Sequence, residues 1–217
     1  FNTDLMTAVG TIIGNNCLSA NIACLYGPGN NIHRTPYGGR NFEYYSEDGF
    51  LSGMMSAYEV AAIQAKGVHV VMKHFALNDC EQDRIGLGVW INEQAAREVY
   101  LKAFQAPIEV GNGNGVMIAY TRWGAVWSGG NYGLVTGILR NEWGFQGLIS
   151  EDFIQNANYV VLKEAVLNGV TMSCNTGDNT MAAVSEKYPY WTVEAVSQDT
   201  TMMTAPVSYT HLTLPTT

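Results

Sequence analysis

The chain of 217 residues has a formal net charge of −8, with 47% hydrophobic and only 14% charged side chains. That length can bury a sizeable core, and one domain is the default count. The acidic balance and the lack of any Lys/Arg cluster exclude nucleic acid and anionic membrane as expected partners, and a neutral, polar ligand suits the chain better.

Four cysteines, Cys17, Cys24, Cys80 and Cys174, show no CxxC spacing and lie in or beside apolar runs, so neither a zinc site nor a disulfide framework is signalled. No metal or cofactor is expected. No uninterrupted apolar run is long enough to cross a bilayer. The chain opens on Phe1 rather than Met, and further sequence is expected to precede it.

Residues 5–18 are small and apolar and predict a helix. Ile22–Tyr26 predicts a strand ended by Gly27-Pro28-Gly29, and a long loop follows from Asn30 to Phe50. Loops of that length inside compact domains tend to be functional. Apolar spacing is helical from Leu51 to Lys66; Val68–Met72 is then a β-branched run leading into Lys73-His74-Phe75. Ala76 to Trp90 is a second polar loop.

Asn92 to Val110 predicts a helix with Asn92 as N-cap and Ala95, Val99, Leu101, Ala103 and Ile108 on its apolar face. Val116–Tyr120 is the next strand, followed by a glycine-rich loop with Trp123 and Trp127 and a helix from Tyr132 to Trp143. The stretch Gly144 to Phe153 turns at Gly144 and Gly147, runs through Leu148 and Ile149 as a short buried strand, and delivers Asp152 at its end. A helix from Gln155 to Asn168 and a last strand at Val170–Met172 complete the pattern.

Strands alternating with helices predict an α/β fold with a parallel sheet of right-handed βαβ units. Five such strands suit either an open doubly wound sheet or most of an eight-stranded barrel, and periodicity leaves both open. In either, ligands bind at the C-terminal strand ends. Those ends and the loops just after them carry Arg40, Lys73, His74, Arg84, Tyr120 and Asp152, which would converge on one rim. Taken one at a time, each also has an ordinary structural reading: Asp152 as a helix cap, Arg40 in a surface ion pair, His74 as a core histidine, Tyr120 as a core aromatic.

Gly39 to Asp48, Lys73 to Asp79, and Ile138 through Phe153 together resemble glycoside hydrolase family 3, and the resemblance runs from about Ala23 to Ser173. It implies an incomplete (β/α)8 barrel with its N-terminal strands missing, bearing a retaining, exo-acting β-glycosidase site for a terminal β-linked sugar. By the matching motif Asp152 is the nucleophile, forming a covalent glycosyl-enzyme; a carboxylate is the group such chemistry requires. The resemblance also carries substrate-binding roles to Arg40, Lys73, His74 and Arg84, and places Tyr120 beside the nucleophile. Trp123 or Trp127 would offer a face for a sugar ring, and a core or structural role suits each at least as well.

Glu151 stands where the family usually has Ser or Thr. On a strand it should turn away from Asp152 and need a partner of its own. A further sugar-binding aspartate and the general acid/base lie, in the family, outside the stretch matched here, the latter commonly in a following domain. A subgroup carries an Asp-His pair on the loop after the Lys-His strand; here Asn78 to Arg84 lacks the histidine, which disfavours an N-acetylhexosaminidase.

The domain reading is a partial barrel over 1–174, its end or a linker over 175–206, and a tail over 207–217 that resembles read-through of a sequencing adaptor. Two other functions are weighed: an inactive or sugar-binding remnant, and a lyase using Lys73 as a Schiff base. A chain lacking strands would expose sheet edges and be prone to aggregate.

Overall fold

A computed structural model describes residues 2–153 and 162–172. The expected linker over 175–206 and tail over 207–217 lie outside the described residues, as does the first half of the helix expected from Gln155.

Helix α1 (Thr3–Ser19) is capped by Asn2, whose side chain accepts from Leu5 N, and α2 (Gly49–Gln64) by Asp48, which accepts from Leu51 N. A third helical rod starts as α3 (Glu93–Ala95), capped by Asn92 as expected. It widens into a π turn over Ala96–Tyr100 and continues as α4 (Lys102–Glu109). Residues 133–142 form a π-helical segment rather than a regular α-helix, and α5 spans Leu162–Leu167. Side-chain caps recur at these starts because the first turn of a helix leaves backbone N–H groups without intrahelical acceptors.

The sheet runs in chain order. Strand β1 (Cys24–Leu25) pairs in parallel with β2 (His69–Val70), and Gly29 bridges in parallel to Lys73 in β3 (Met72–Phe75). Strand β3 pairs with β5 (Gly115–Ile118), β5 with β8 (Leu148–Glu151), and Ser150 bridges to Met172. A doubly wound sheet would reverse its strand order at a switch point. Strands laid down one after another, with helices between them, are instead the winding of a (β/α) barrel. Among the described residues the wall is an open arc and does not close. The Gly27–Pro28, Lys73–His74 and Phe75–Ala76 peptide bonds are cis.

One feature departs from expectation. The two loops beyond β3 and β5 form their own small sheet of β4 (Gly88–Val89), β6 (Arg122–Trp123) and β7 (Val126–Trp127), the last two a hairpin. It stands beyond the C-terminal ends of the main strands.

The core lies between the arc and the helices. Phe75 meets Phe104 and Trp143 edge to face, at 5.3 and 6.0 Å between centroids, with Val116, Ile118, Leu139 and Ile149 fully buried around them. Arg140 is buried too, and donates to the carbonyls of Phe145, Gly147 and Gly169 at 2.9, 2.7 and 3.3 Å. Burial pushes its pKa down to about 10. Its donors hold the turn that launches β8, and β8 carries Asp152.

Candidate active site

Strand β8 ends at Glu151, which is buried, registered against Ile118, and donates its N–H to Met172 O. Asp152 is the next residue. Its Oδ1 accepts from Phe153 N at 2.8 Å, which fixes the carboxylate, and Oδ2 faces His74 Nε2 at 3.7 Å.

Strand β3 presents His74, 2% exposed. Asn31 from the loop after β1 clamps its backbone, accepting from His74 N at 2.8 Å and donating to His74 O at 3.0 Å, as a strand partner would. Arg40 Nη1 lies 3.0 Å from Nε2, and an arginine can only donate, so Nε2 accepts and Nδ1 carries the proton. Nδ1 then donates to Tyr44 Oη at 3.3 Å. Burial first, then Arg40, Lys73 and Arg84, hold the imidazole pKa well below its ordinary value. His74 is therefore neutral, and its approach to Asp152 is a polar contact rather than an ion pair.

Lys73 lies beside it, with Nζ 3.3 Å from Glu43 Oε2, and Glu43 Oε1 accepts from Arg40 Nε. Burial opposes ionisation of Glu43, but the two cations outweigh it and the pKa falls below the usual value. Arg84 Nη1 lies 3.3 Å from Glu81 Oε2, and its guanidinium stands 5.0 Å from the centre of the Tyr120 ring. The Tyr120 hydroxyl donates to Phe153 O. Asp152 and the five other residues singled out from the sequence thus form one connected cluster. Burial raises the Asp152 pKa, while the Phe153 N–H and then Arg84, Arg40 and Lys73 act to lower it.

Sequence reasoning did not single out Glu43, Glu81, Asn31, Tyr44 or Asp79. The two glutamates stand three residues from Arg40 and Arg84, a spacing that signals a local ion pair. Asn31 and Tyr44 carry no such signal, since their contacts reach across 43 and 30 residues.

The tryptophans do not join this cluster. Trp127 is 6% exposed and donates to Ala119 O, so it has no face for a sugar. Trp123 donates to Ile91 O and lines a separate groove of about 430 Å³ with Leu134, Glu93, Arg97 and Glu142. That groove's cation is spent, since Arg97 is held by Glu93 at 2.8 Å and by Glu142 at 2.6 and 3.0 Å. Lys73, ion-paired in a polar ring, also lacks the apolar pocket that a Schiff-base lysine needs.

Residues 1–208 match the model of the glycosyl hydrolase family 3 N terminal domain. The chain belongs to this family. It is 37% identical over 200 residues to a β-glucosidase of Ruminococcus albus, covering 86% of the chain and 21% of that protein. It is 39% identical over 153 residues to an exo-α-(1→6)-L-arabinopyranosidase of Bifidobacterium breve, covering 70% of the chain and 20% of that protein. The solved structure of β-glucosidase 3B from Thermotoga neapolitana with glucose superposes with a TM-score of 0.81 at 30% identity, covering 97% of the chain and 28% of that protein. The chain therefore spans about a fifth of the length of these curated family 3 relatives.

Proposed function

We propose that this chain supplies the nucleophile and part of the terminal-sugar subsite of a retaining, exo-acting β-glycosidase of the β-glucosidase type. One observation carries the reading: a single carboxylate at the end of β8 faces a neutral histidine and three cations, Lys73 on β3 and Arg40 and Arg84 on the loops after β1 and β3.

Asp152 Oδ1 is engaged by the Phe153 N–H, so Oδ2 is the oxygen free to attack the anomeric carbon. Attack forms the ester bond as the bond to the leaving group breaks, and a general acid protonates the departing oxygen. Water then attacks C1 and returns the carboxylate. In the family that acid commonly belongs to a following domain. Lys73, Arg40 and Arg84 lower the cost of ionising the buried nucleophile, and charged donors read the fixed hydroxyl array of a sugar ring. Neutral His74 can offer a sugar hydroxyl no charge, only direction. The relatives act on both glucosides and arabinopyranosides, so the pyranose itself is a matter for assay.

Asp152→Ala in the full-length protein is expected to abolish turnover of an aryl β-glucoside. A 2-fluoro glycoside, which slows hydrolysis of the ester, should label the peptide containing Asp152, as read by mass spectrometry. Retained turnover in the variant, or a label elsewhere, would remove the reading.

A further inference from the structure

The cations around Asp152 are strung on two carboxylates. Glu43 lies between Lys73 and Arg40, and Glu81 lies between Arg40 and Arg84, so the order is Lys73, Glu43, Arg40, Glu81, Arg84. Glu81 is held in place by its own backbone and by a gap in another loop. Its N–H donates to Gly38 O at 3.2 Å, and its Oε1 accepts from Asn78 Nδ2 at 3.0 Å. Gly39 has φ +85°, and a Cβ there would stand 2.9 Å from Glu81 Cβ and 3.0 Å from Cγ. The loop after β1 thus leaves a cradle that the stem of Glu81 fills, which fastens it to the loop after β3.

We infer that Glu81 is a positioning residue: it sets the two guanidinium groups against each other across the sugar subsite and cancels one positive charge beside the nucleophile. This rests on the reading of Asp152 given above. With Asp152 ionised, three carboxylates balance three cations; once Asp152 is esterified, the subsite holds one excess positive charge. Glu81 therefore governs how strongly the ring favours the ionised nucleophile. The groups facing Asp152 are His74 from β3, Arg40 from the loop after β1, Lys73, and Arg84 from the loop after β3. Glu43 and Glu81 pair with the cations, the Tyr120 ring stacks against Arg84, and Glu151 is the chain neighbour.

Removing the Glu81 charge while keeping its shape leaves Arg40 and Arg84 less neutralised, so the acidic limb of kcat/KM moves to lower pH. In the full-length protein Glu81→Gln is expected to shift that limb down by about half a pH unit. The two arginines, no longer braced, should raise KM for an aryl β-glucoside roughly five- to ten-fold, with a smaller change in kcat. Glu81→Asp keeps the charge and shortens the reach; its limb should stay at the wild-type position while KM rises. A role confined to loop stability would lower the yield of active protein and leave both the limb and KM unmoved, which would overturn the inference.

The two readings fail separately. Turnover that survives Asp152→Asn removes the nucleophile. If Asp152 proves essential and Glu81→Gln matches wild type in limb and KM, the Glu81 inference alone falls. A readout free of turnover is calorimetric titration of glucose into Asp152→Asn with and without Glu81→Gln. Weakening by several-fold is expected, and equal affinity would overturn the inference.

Discussion

Asp79 ties the loop after β3 to the loop after β1, accepting from Ile32 N at 2.6 Å while 4% exposed. Burial pushes its pKa up to about 7, against the pull of the Ile32 N–H and Arg34. An acid whose folded pKa exceeds its unfolded one is protonated in the native state and ionised in the unfolded chain between the two values. Its contribution is therefore complete below the unfolded pKa and is lost as pH rises toward about 7. Asp79→Asn keeps an acceptor for Ile32 and removes the titration. In the full-length protein, unfolding midpoints in urea should then vary less between about pH 4 and about pH 7 than in wild type, whose stability falls by up to about 1.4 kcal/mol per pH unit from this group. Equal slopes would show that Asp79 is ionised where it sits. At this scale the sequence yielded the residues that end strands, because strand ends can be read from apolar runs and their punctuation. The residues that hold those in place were hidden, because Asn31, Tyr44 and Asp79 act across loops on partners more than ten residues away.

Helix packing turns on bare backbone at two crossings. A Cβ on Gly10 of α1 would meet Glu59 O of α2 at 2.5 Å, and one on Gly53 of α2 would meet Lys102 O and Ala106 Cβ of α4 at 2.9 Å each. Replacing Gly in a helix by Ala gains about 1 kcal/mol in propensity, but overpacking costs typically 1–3 kcal/mol. Gly53→Ala should therefore lower stability, whereas Gly137→Ala should raise it by about 0.5–1 kcal/mol, since a Cβ there comes no closer than 3.8 Å to Tyr132 O. Paired denaturation curves of the full-length protein decide this; a stabilised Gly53→Ala would mean that the helices can separate without cost. The long elements were legible because α1, at seventeen residues, is an unbroken small and apolar run, and α2, at sixteen, keeps a helical apolar spacing. The β4, β6 and β7 sheet was not, since strands of two residues are too short to show a period. Its one signal was Gly124 between Trp123 and Ala125, with φ +63° in the hairpin turn. The widened turns at 96–100 and 133–142 left no mark that apolar spacing could show.

At the scale of the whole molecule, β1 stands at one edge of an arc that does not close among the described residues, and Leu5, Ile12 and Leu18 of α1 are more than half exposed. Open edges and uncovered apolar side chains favour association with other chains. The 217 residues expressed alone are accordingly expected to elute as aggregate in size-exclusion chromatography and to lack β-glucosidase turnover. A monomeric peak that hydrolyses an aryl β-glucoside would contradict this. The alternation of strand and helix and the placing of Asp152 after an apolar strand were determined by sequence alone, because burial and turn chemistry act over a few neighbouring residues. Tertiary structure decided between a doubly wound sheet and a barrel wall, since strand order is a matter of which distant segments pair. It also decided the charge state of His74 and the alternating string of cations and carboxylates, because those depend on groups that only folding brings within a few ångströms.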